Sequence, residues 1–317
     1  MWALLGLLAC TGSVPAAAAD EFPDRPITIV MGALAGGITD VITRLYAPVV
    51  SRELGRPVLI DNKPNEAGTV ATITVKNAPA DGYTLLVFSG AQHVSIPAMQ
   101  AAGYDPLSDF VPVTTLFTLV NLLAVPSDSP ANSAADLMRI GREKPGGLRF
   151  GSSGLGTTSH LTAALMTLST GTPVRPTHYA GAAPMIADLV SGRLDFTLVS
   201  ATVAMPLMAQ GKLKVLAVDA AERWPDLPAI PTLREAGIDQ EKVASWFGLA
   251  APRGTPGAVI KKLYEAFAAA ARDPDLLKKL RDNGALPGFA TPEETAAMMA
   301  RESRATAALV QALKLAR

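Results

Sequence analysis

Two glycine-bearing segments have the residue types and spacing to hold an anion. The first is Ala35-Gly36-Gly37-Ile38-Thr39-Asp40, and the second is Gly151-Ser152-Ser153-Gly154-Leu155-Gly156-Thr157-Thr158. Each follows a short strand pattern and opens a stretch with helical periodicity, so each reads as a strand–turn–helix joint. At such a joint glycine lets the backbone come close to a ligand. The first N–H groups of the helix lack internal partners and carry partial positive charge. Neither segment contains Lys or Arg, which leaves backbone amides and the Ser and Thr hydroxyls to hold a carboxylate. A tight turn alone would explain one such segment. Two of them, in different halves of the chain and both at the carboxyl ends of strands, fit the rule that open α/β sheets bind ligands there.

Motifs for covalent or redox chemistry are incomplete. Gly154-x-Gly156 continues to Ser159, so the dinucleotide fingerprint is broken, and a serine elbow would need glycine at Leu155. No phosphate-binding loop ending in Gly-Lys-Ser/Thr occurs. His93, His160 and His178 are far apart in sequence without metal-ligand spacing, and no metal or cofactor is expected. The only cysteine is Cys10, so the rest of the chain has neither disulfide nor thiol nucleophile. A pairing of Ser153 with His160 is the one arrangement that would permit a secreted serine hydrolase; the simpler reading is a packed histidine in the first turns of a helix.

These segments need a frame to face one another. Apolar runs at Ile27–Met31, Val58–Ile60, Leu85–Phe88, Leu122–Val125, Phe196–Val199 and Val215–Val218 read as strands. Helical spacing of Val41, Leu45, Val49 and Leu54, stopped by Gly55, predicts a helix after Thr39. Further helices are expected from near Thr157 to Ser169, from Ala182 to Val190, and through most of the chain after Pro256. Thr291-Pro292-Glu293-Glu294 is a capping box. Alternating strands and helices predict an α/β fold with mostly parallel sheets flanked by helices. Val125-Pro126 and Ala251-Pro252 are candidate crossings between two lobes. The expected division is 20–123 with 246–317 as one lobe and 124–245 as the other, with the ligand cleft between them.

A chain of 317 residues is long enough for two packed lobes. Zero formal net charge argues against a nucleic-acid partner, which requires a basic surplus. The apolar run Trp2–Ala9 and the small residues Ala17-Ala18-Ala19 before Asp20 read as a signal peptide over residues 1–19, too short to span a bilayer. Export to the periplasm follows, with a lipid anchor at Cys10 as the alternative.

Further residues carry a resemblance. Phe22-Pro23-Asp24-Arg25-Pro26-Ile27-Thr28-Ile29-Val30 with Ala35-Gly36-Gly37-x-x-Asp40 resembles the start of the Bug-type receptors of tripartite tricarboxylate transporters. The likeness runs through Asn62-Lys63-Pro64, Ala80-Asp81-Gly82-Tyr83-Thr84-Leu85-Leu86 and Gly151-Ser152-Ser153-Gly154-x-Gly156-Thr157 with His160. It continues through Tyr179-x-Gly181, Gly211-Lys212-Leu213-Lys214, Ser245-Trp246-Phe247-Gly248 and Pro252-x-Gly254-Thr255-Pro256, and so covers the chain after residue 20. It implies a two-lobed periplasmic-binding-protein (Venus-flytrap) fold with no enzymatic activity. One ligand carboxylate would lie between Ala35, Gly36, Gly37, Thr39 and Asp40 from one lobe and Ser153, Gly154, Thr157 and Thr158 from the other. Asp40 would repel that carboxylate unless it caps its own helix or meets a ligand donor. The distal end would be read by the Ser89–Ser95 loop including His93, by Tyr179 and Ser200, and by Trp246. The chain departs from the family at Met31-Gly32-Ala33-Leu34, at His93-Val94-Ser95-Ile96-Pro97 and at Ala180, stretches expected to shape the first turn and to read the ligand.

The expected function is that of a monomeric solute-binding protein. It captures a small mono- or dicarboxylate for the permease subunits of a membrane transporter. An orphan sensor docking a membrane kinase is the alternative from another class.

Overall fold

The structure is a computed structural model and describes residues 22–65, 68–90, 93, 96–99, 101–152, 158–179, 182–220, 222–238 and 245–312. Residues 1–19, expected to be a signal segment, lie outside them. No helix among the described residues is long and apolar enough to cross a membrane.

Two sheets organise the chain. The first has strands β1 (Ile27–Met31), β2 (Val58–Asn62), β3 (Thr84–Ser89), β4 (Phe110–Leu119), β10 (Trp246–Pro252) and β11 (Ala285–Pro287), in the order β11-β4-β10-β3-β1-β2. The second has β5 (Asn121–Pro126), β6 (Leu148–Ser152), β7 (Val174–His178), β8 (Phe196–Ser200) and β9 (Leu213–Asp219), in the order β7-β6-β8-β5-β9. Both are mixed, which corrects the expectation of mostly parallel sheets. β1 is parallel to β2 and β3, and β6 is parallel to β7 and β8. The strands beside the crossings, β4, β5 and β10, run antiparallel to their neighbours because each enters or leaves its sheet from the other half.

Strand alternation sends side chains to both faces, and helices cover each. In the first sheet Ile29, Met31, Leu85 and Val87 pack under α1 (Ile38–Leu54), α8 (Gly257–Ala270) and α9 (Pro274–Asp282). Val30, Leu86 and Phe88 pack on the other face with α2 (Thr69–Lys76) and α10 (Pro292–Ala312). The second sheet is covered likewise by α4 (Ala134–Glu143) and α5 (Thr158–Thr170) on one side, and by α6 (Ala182–Val190) and α7 (Ala201–Ala209) on the other. A short helix, α3, spans Ile96–Met99.

The buried stripe of α1 is Ile42, Tyr46 and Val50; Leu45, Val49 and Leu54 are only partly buried, so the core-facing stripe sits one residue beyond the one expected. The capping box of α10 forms: Glu294 N–H donates to Thr291 Oγ1 (3.1 Å) and Thr291 N–H to Glu294 Oε2 (2.8 Å). Pro126 and Pro252 close β5 and β10 rather than carrying a crossing. The chain changes sheets at Val120, between β4 and β5. The Val120 N–H donates to Gly284 O (3.0 Å) beside the first sheet, and its carbonyl accepts from Ala201 N–H (2.9 Å) at the head of α7. The return passes through Ser245, whose carbonyl accepts from Leu119 N–H (2.9 Å).

Candidate functional site

The first glycine turn leaves β1 at the edge of its sheet nearest the Val120 crossing. Gly36 has φ +79°, a conformation that costs an L side chain energy, and a Cβ there would meet nothing within 4 Å. Leu34, Ala35 and Gly36 are exposed. Gly37 is the N-cap of α1 and no side chain caps it, so the first-turn amides are not covered by the usual Ser or Asp oxygen. Gly32 lies so close to Gly68 Cα that a Cβ would overlap it.

Asp40 is 2% exposed and turned into its own turn. Its Oδ2 accepts from Gly36 N–H (2.8 Å), Arg44 Nε–H donates to Oδ1 (2.9 Å), and Asn62 Nδ2–H donates to Oδ1 (2.9 Å). Asn62 also donates to Ala33 O (3.0 Å) and accepts from Arg44 (2.8 Å). Burial alone would raise the Asp40 pKa, but the Arg44, Gly36 and Asn62 hydrogen bonds outweigh it and hold the carboxyl below the usual range. The carboxylate is thereby spent on shaping the turn, which removes the repulsion expected of a free aspartate. Thr39 is half-buried in the first turn of α1, its carbonyl accepting from Thr43 Oγ1 (2.7 Å).

Ser89 ends β3 beside this turn, since Val87 pairs with Met31. His93, expected at the ligand, is instead a buried strut. Ser89 N–H donates to His93 Nδ1 (2.8 Å), and Nε2 meets Thr72 Oγ1 (2.9 Å), whose hydroxyl donates to Gly68 O (2.9 Å). Nδ1 as acceptor leaves the proton on Nε2. Burial pushes the His93 pKa down to about 4, so the ring is neutral. Trp246 is likewise buried: it packs edge-on against Phe88 and donates its indole N–H to Glu302 Oε2 (2.5 Å) on α10.

On the second sheet the crossing-side edge carries a row of polar residues. Asn121 pairs with Ser200 on one side and Asp219 on the other, and Ser152 pairs with His178. Ser200, half-buried, heads α7 and shares a hydrogen bond with Thr202 Oγ1 (3.0 Å). Asn121 Nδ2–H donates to Ser245 Oγ (2.9 Å), tying the two crossings together. Asp219 keeps a buried Oδ2 without a partner among the described residues, and burial raises its pKa to about 7 against the lowering effect of Asn121. Tyr179 donates its hydroxyl to Asp188 Oδ2 (2.8 Å), and Asp188 Oδ1 accepts from Arg193 (2.8 Å).

Ser153, Gly154 and Thr157 lie outside the described residues, as does any contact of Ser153 with His160. Thr158 is the first residue of α5, so the second turn is bracketed by the end of β6 and the head of α5. His160 and His178, distant in sequence, are neighbours in space: their rings meet edge-on at 4.9 Å. Burial and the adjacent His178 push the His160 pKa down to about 4. No group of three or more metal-ligating side chains occurs among the described residues.

The structure thus brings Ala35, Gly36, Gly37, Thr39, Asp40 and Ser89 together at one edge, and Ser200 and Tyr179 at the crossing-side edge of the other sheet. Residues not singled out by role were Arg44, Asn62, Asn121, Asp219 and Glu302. For Asn121 and Asp219 a signal was present, a polar residue directly abutting an apolar strand. A cavity of about 400 Å³ lined by Pro126, Leu137, Lys144, Leu148 and Asp195 opens at the opposite ends of the second sheet's strands, away from the turns.

Comparison with known proteins identifies the family. Residues 42–315 match the family model described as the tripartite tricarboxylate transporter family receptor. The protein BugT of Bordetella pertussis is 29% identical over 312 residues, 98% of this chain and 96% of its own length. A solved structure described as R. palustris Rpa4515 with adipate is 36% identical with TM-score 0.78, covering 92% of this chain and 97% of that one. MatC (Rpa3494) from Rhodopseudomonas palustris with bound malate is 31% identical with TM-score 0.76, covering 91% and 100%. The chain belongs to the tripartite tricarboxylate transporter receptor family.

Proposed function

We propose that this protein closes two lobes over a small organic mono- or dicarboxylate in the periplasm and presents it to the permease subunits of a tripartite tricarboxylate transporter. The observation that carries the reading is the first glycine turn. It offers an uncapped helix N-terminus with a left-handed glycine and open space above it, and its one acid is consumed internally. Solved relatives with adipate and malate support a carboxylate as the ligand class.

The lobes of this reading are the two sheet-centred halves, joined through Val120 and Ser245. A carboxylate bridging the two glycine turns favours the closed arrangement, because only that arrangement supplies both sets of donors. Ser153, Gly154, Thr157 and Thr158 provide the second set, and Ser89, Ser200 and Tyr179 flank the distal end. Bridging waters let one pocket accept related acids. Residues 1–19 direct export and are cleaved, and the receptor acts as a monomer without catalysing a reaction.

Thr157→Trp tests the bridge. Calorimetric titration with adipate and malate is expected to show at least one binding wild type and none binding the variant, with the melting temperature of the free protein unchanged. Equal affinity in the variant would remove the second turn from the site.

A further inference from the structure

Glu302 projects from α10 into the body of the first half rather than towards solvent. Its Oε2 accepts the Trp246 indole N–H (2.5 Å), and its carboxyl group lies against the backbone of Gly90, where a Cβ would overlap both oxygens. Gly90 is the residue after Ser89, whose N–H is held by His93. We propose that Glu302 is the positioning residue for the end of β3, holding Ser89 and Gly90 at the distal side of the ligand cleft from behind through Gly90 and Trp246. This rests on the ligand site proposed above for its consequence in binding, but the contact between α10 and Gly90 stands without it.

The groups around the carboxyl explain how it works. The carboxyl meets the Trp246 indole from β10 and the Gly90 backbone after β3; Phe88 packs edge-on against that indole, and Met299 on α10 belongs to the same core. The ionisable neighbours in this aromatic row are His93, edge-on to Phe88, and Tyr104, beside His93. Burial keeps His93 neutral and raises the Tyr104 pKa, so neither supplies a charge. No ion pair to Glu302 forms among the described residues. Burial therefore outweighs the Trp246 hydrogen bond and raises the Glu302 pKa to about 7. Uncharged, the carboxyl fits between the indole and Gly90. Ionised, it is a largely buried charge with one donor among the described residues, and the contact with Gly90 opens to admit water.

The test measures amide hydrogen exchange at Ser89 and Gly90 from pH 6 to 8 in wild type, Glu302→Gln and Glu302→Ala, as protection relative to the free peptide rate. Protection should fall severalfold through about pH 7 in wild type, stay high in the glutamine variant, and be low throughout in the alanine variant. A wild-type step that survives in Glu302→Gln, or full protection in Glu302→Ala, would overturn the proposal. A parallel calorimetric titration with adipate should weaken severalfold from pH 6 to 8 in wild type and not in Glu302→Gln; a dicarboxylate is ionised across that range. If neither adipate nor malate nor any other small carboxylate binds either protein at any pH, the carboxylate reading is what fails, and the exchange data still decide the role of Glu302.

Discussion

Asp40 is ringed by donors, with the Gly36 N–H, the Arg44 guanidinium and the Asn62 amide all aimed at its two oxygens. Asp40→Ala leaves those donors without their acceptor and should cost about 2–3 kcal/mol of stability, read from denaturant unfolding. It should also weaken carboxylate binding by about tenfold or more, since the turn loses its shape. Gly36→Ala separates shape from blockage. Its Cβ touches nothing, so the expected loss is about 1–2 kcal/mol from the left-handed backbone alone. Asp219 behaves oppositely to Asp40, being buried with one oxygen unpartnered among the described residues. Its raised pKa makes the folded protein bind a proton that the unfolded chain has released, so its contribution is lost as pH rises through about 7. Asp219→Asn should therefore match wild type near pH 4 and exceed it at pH 8 by on the order of 2 kcal/mol in thermal unfolding. At this scale the sequence carried the glycine turn and left the role of Asp40 open. It did not show that His93 and Trp246 are buried and braced internally, because a polar or aromatic residue near a strand end looks the same whether it faces the cleft or braces the strand from behind. Only the Thr72, Ser89 and Glu302 partners distinguish the two.

Elements were legible where one physical signal dominated. Runs of β-branched residues marked β1, β5, β8 and β9, and Thr291 to Glu294 marked the head of α10. Thr291→Ala should remove that cap at a cost of about 1 kcal/mol, measured by urea unfolding. β4 escaped notice because Thr114, Thr115 and Pro112 interrupt its apolar pattern, although Thr114 and Thr115 are satisfied by hydrogen bonds to Ala290. β10 contains Gly248, where its register against β4 shifts, and so lacks the alternation of a regular strand. The crossing was expected at prolines, but the residue that carries it is Val120. It is marked by no special type, because its role lies in donating its N–H towards one half and accepting with its carbonyl from the other.

At the scale of the whole molecule, opposing titrations meet. Glu302 and Asp219, with pKa values raised to about 7, lower stability as pH rises from about 4.5 to 7. His93 and His160, pushed down to about 4, raise it between about 4 and 6.5, because the unfolded imidazoles take up protons that the folded ones refuse. The Glu302→Gln/Asp219→Asn double variant should therefore become more stable from pH 5 to 7, whereas wild type changes much less. The two-sheet α/β architecture followed from alternating strand and helix patterns, while the mixed strand directions did not, since local periodicity says nothing about which strands enter from the other half. The central claim is that the cleft between these halves recognises a carboxylate through backbone amides. The most direct test is a thermal-shift comparison of small mono-, di- and tricarboxylates with their neutral amides on the purified protein. A ligand at about a hundredfold its Kd adds about 2.7 kcal/mol. A rise in Tm confined to the acids is expected; no rise with any acid, or equal rises with the amides, would mean that the cleft does not recognise a carboxylate.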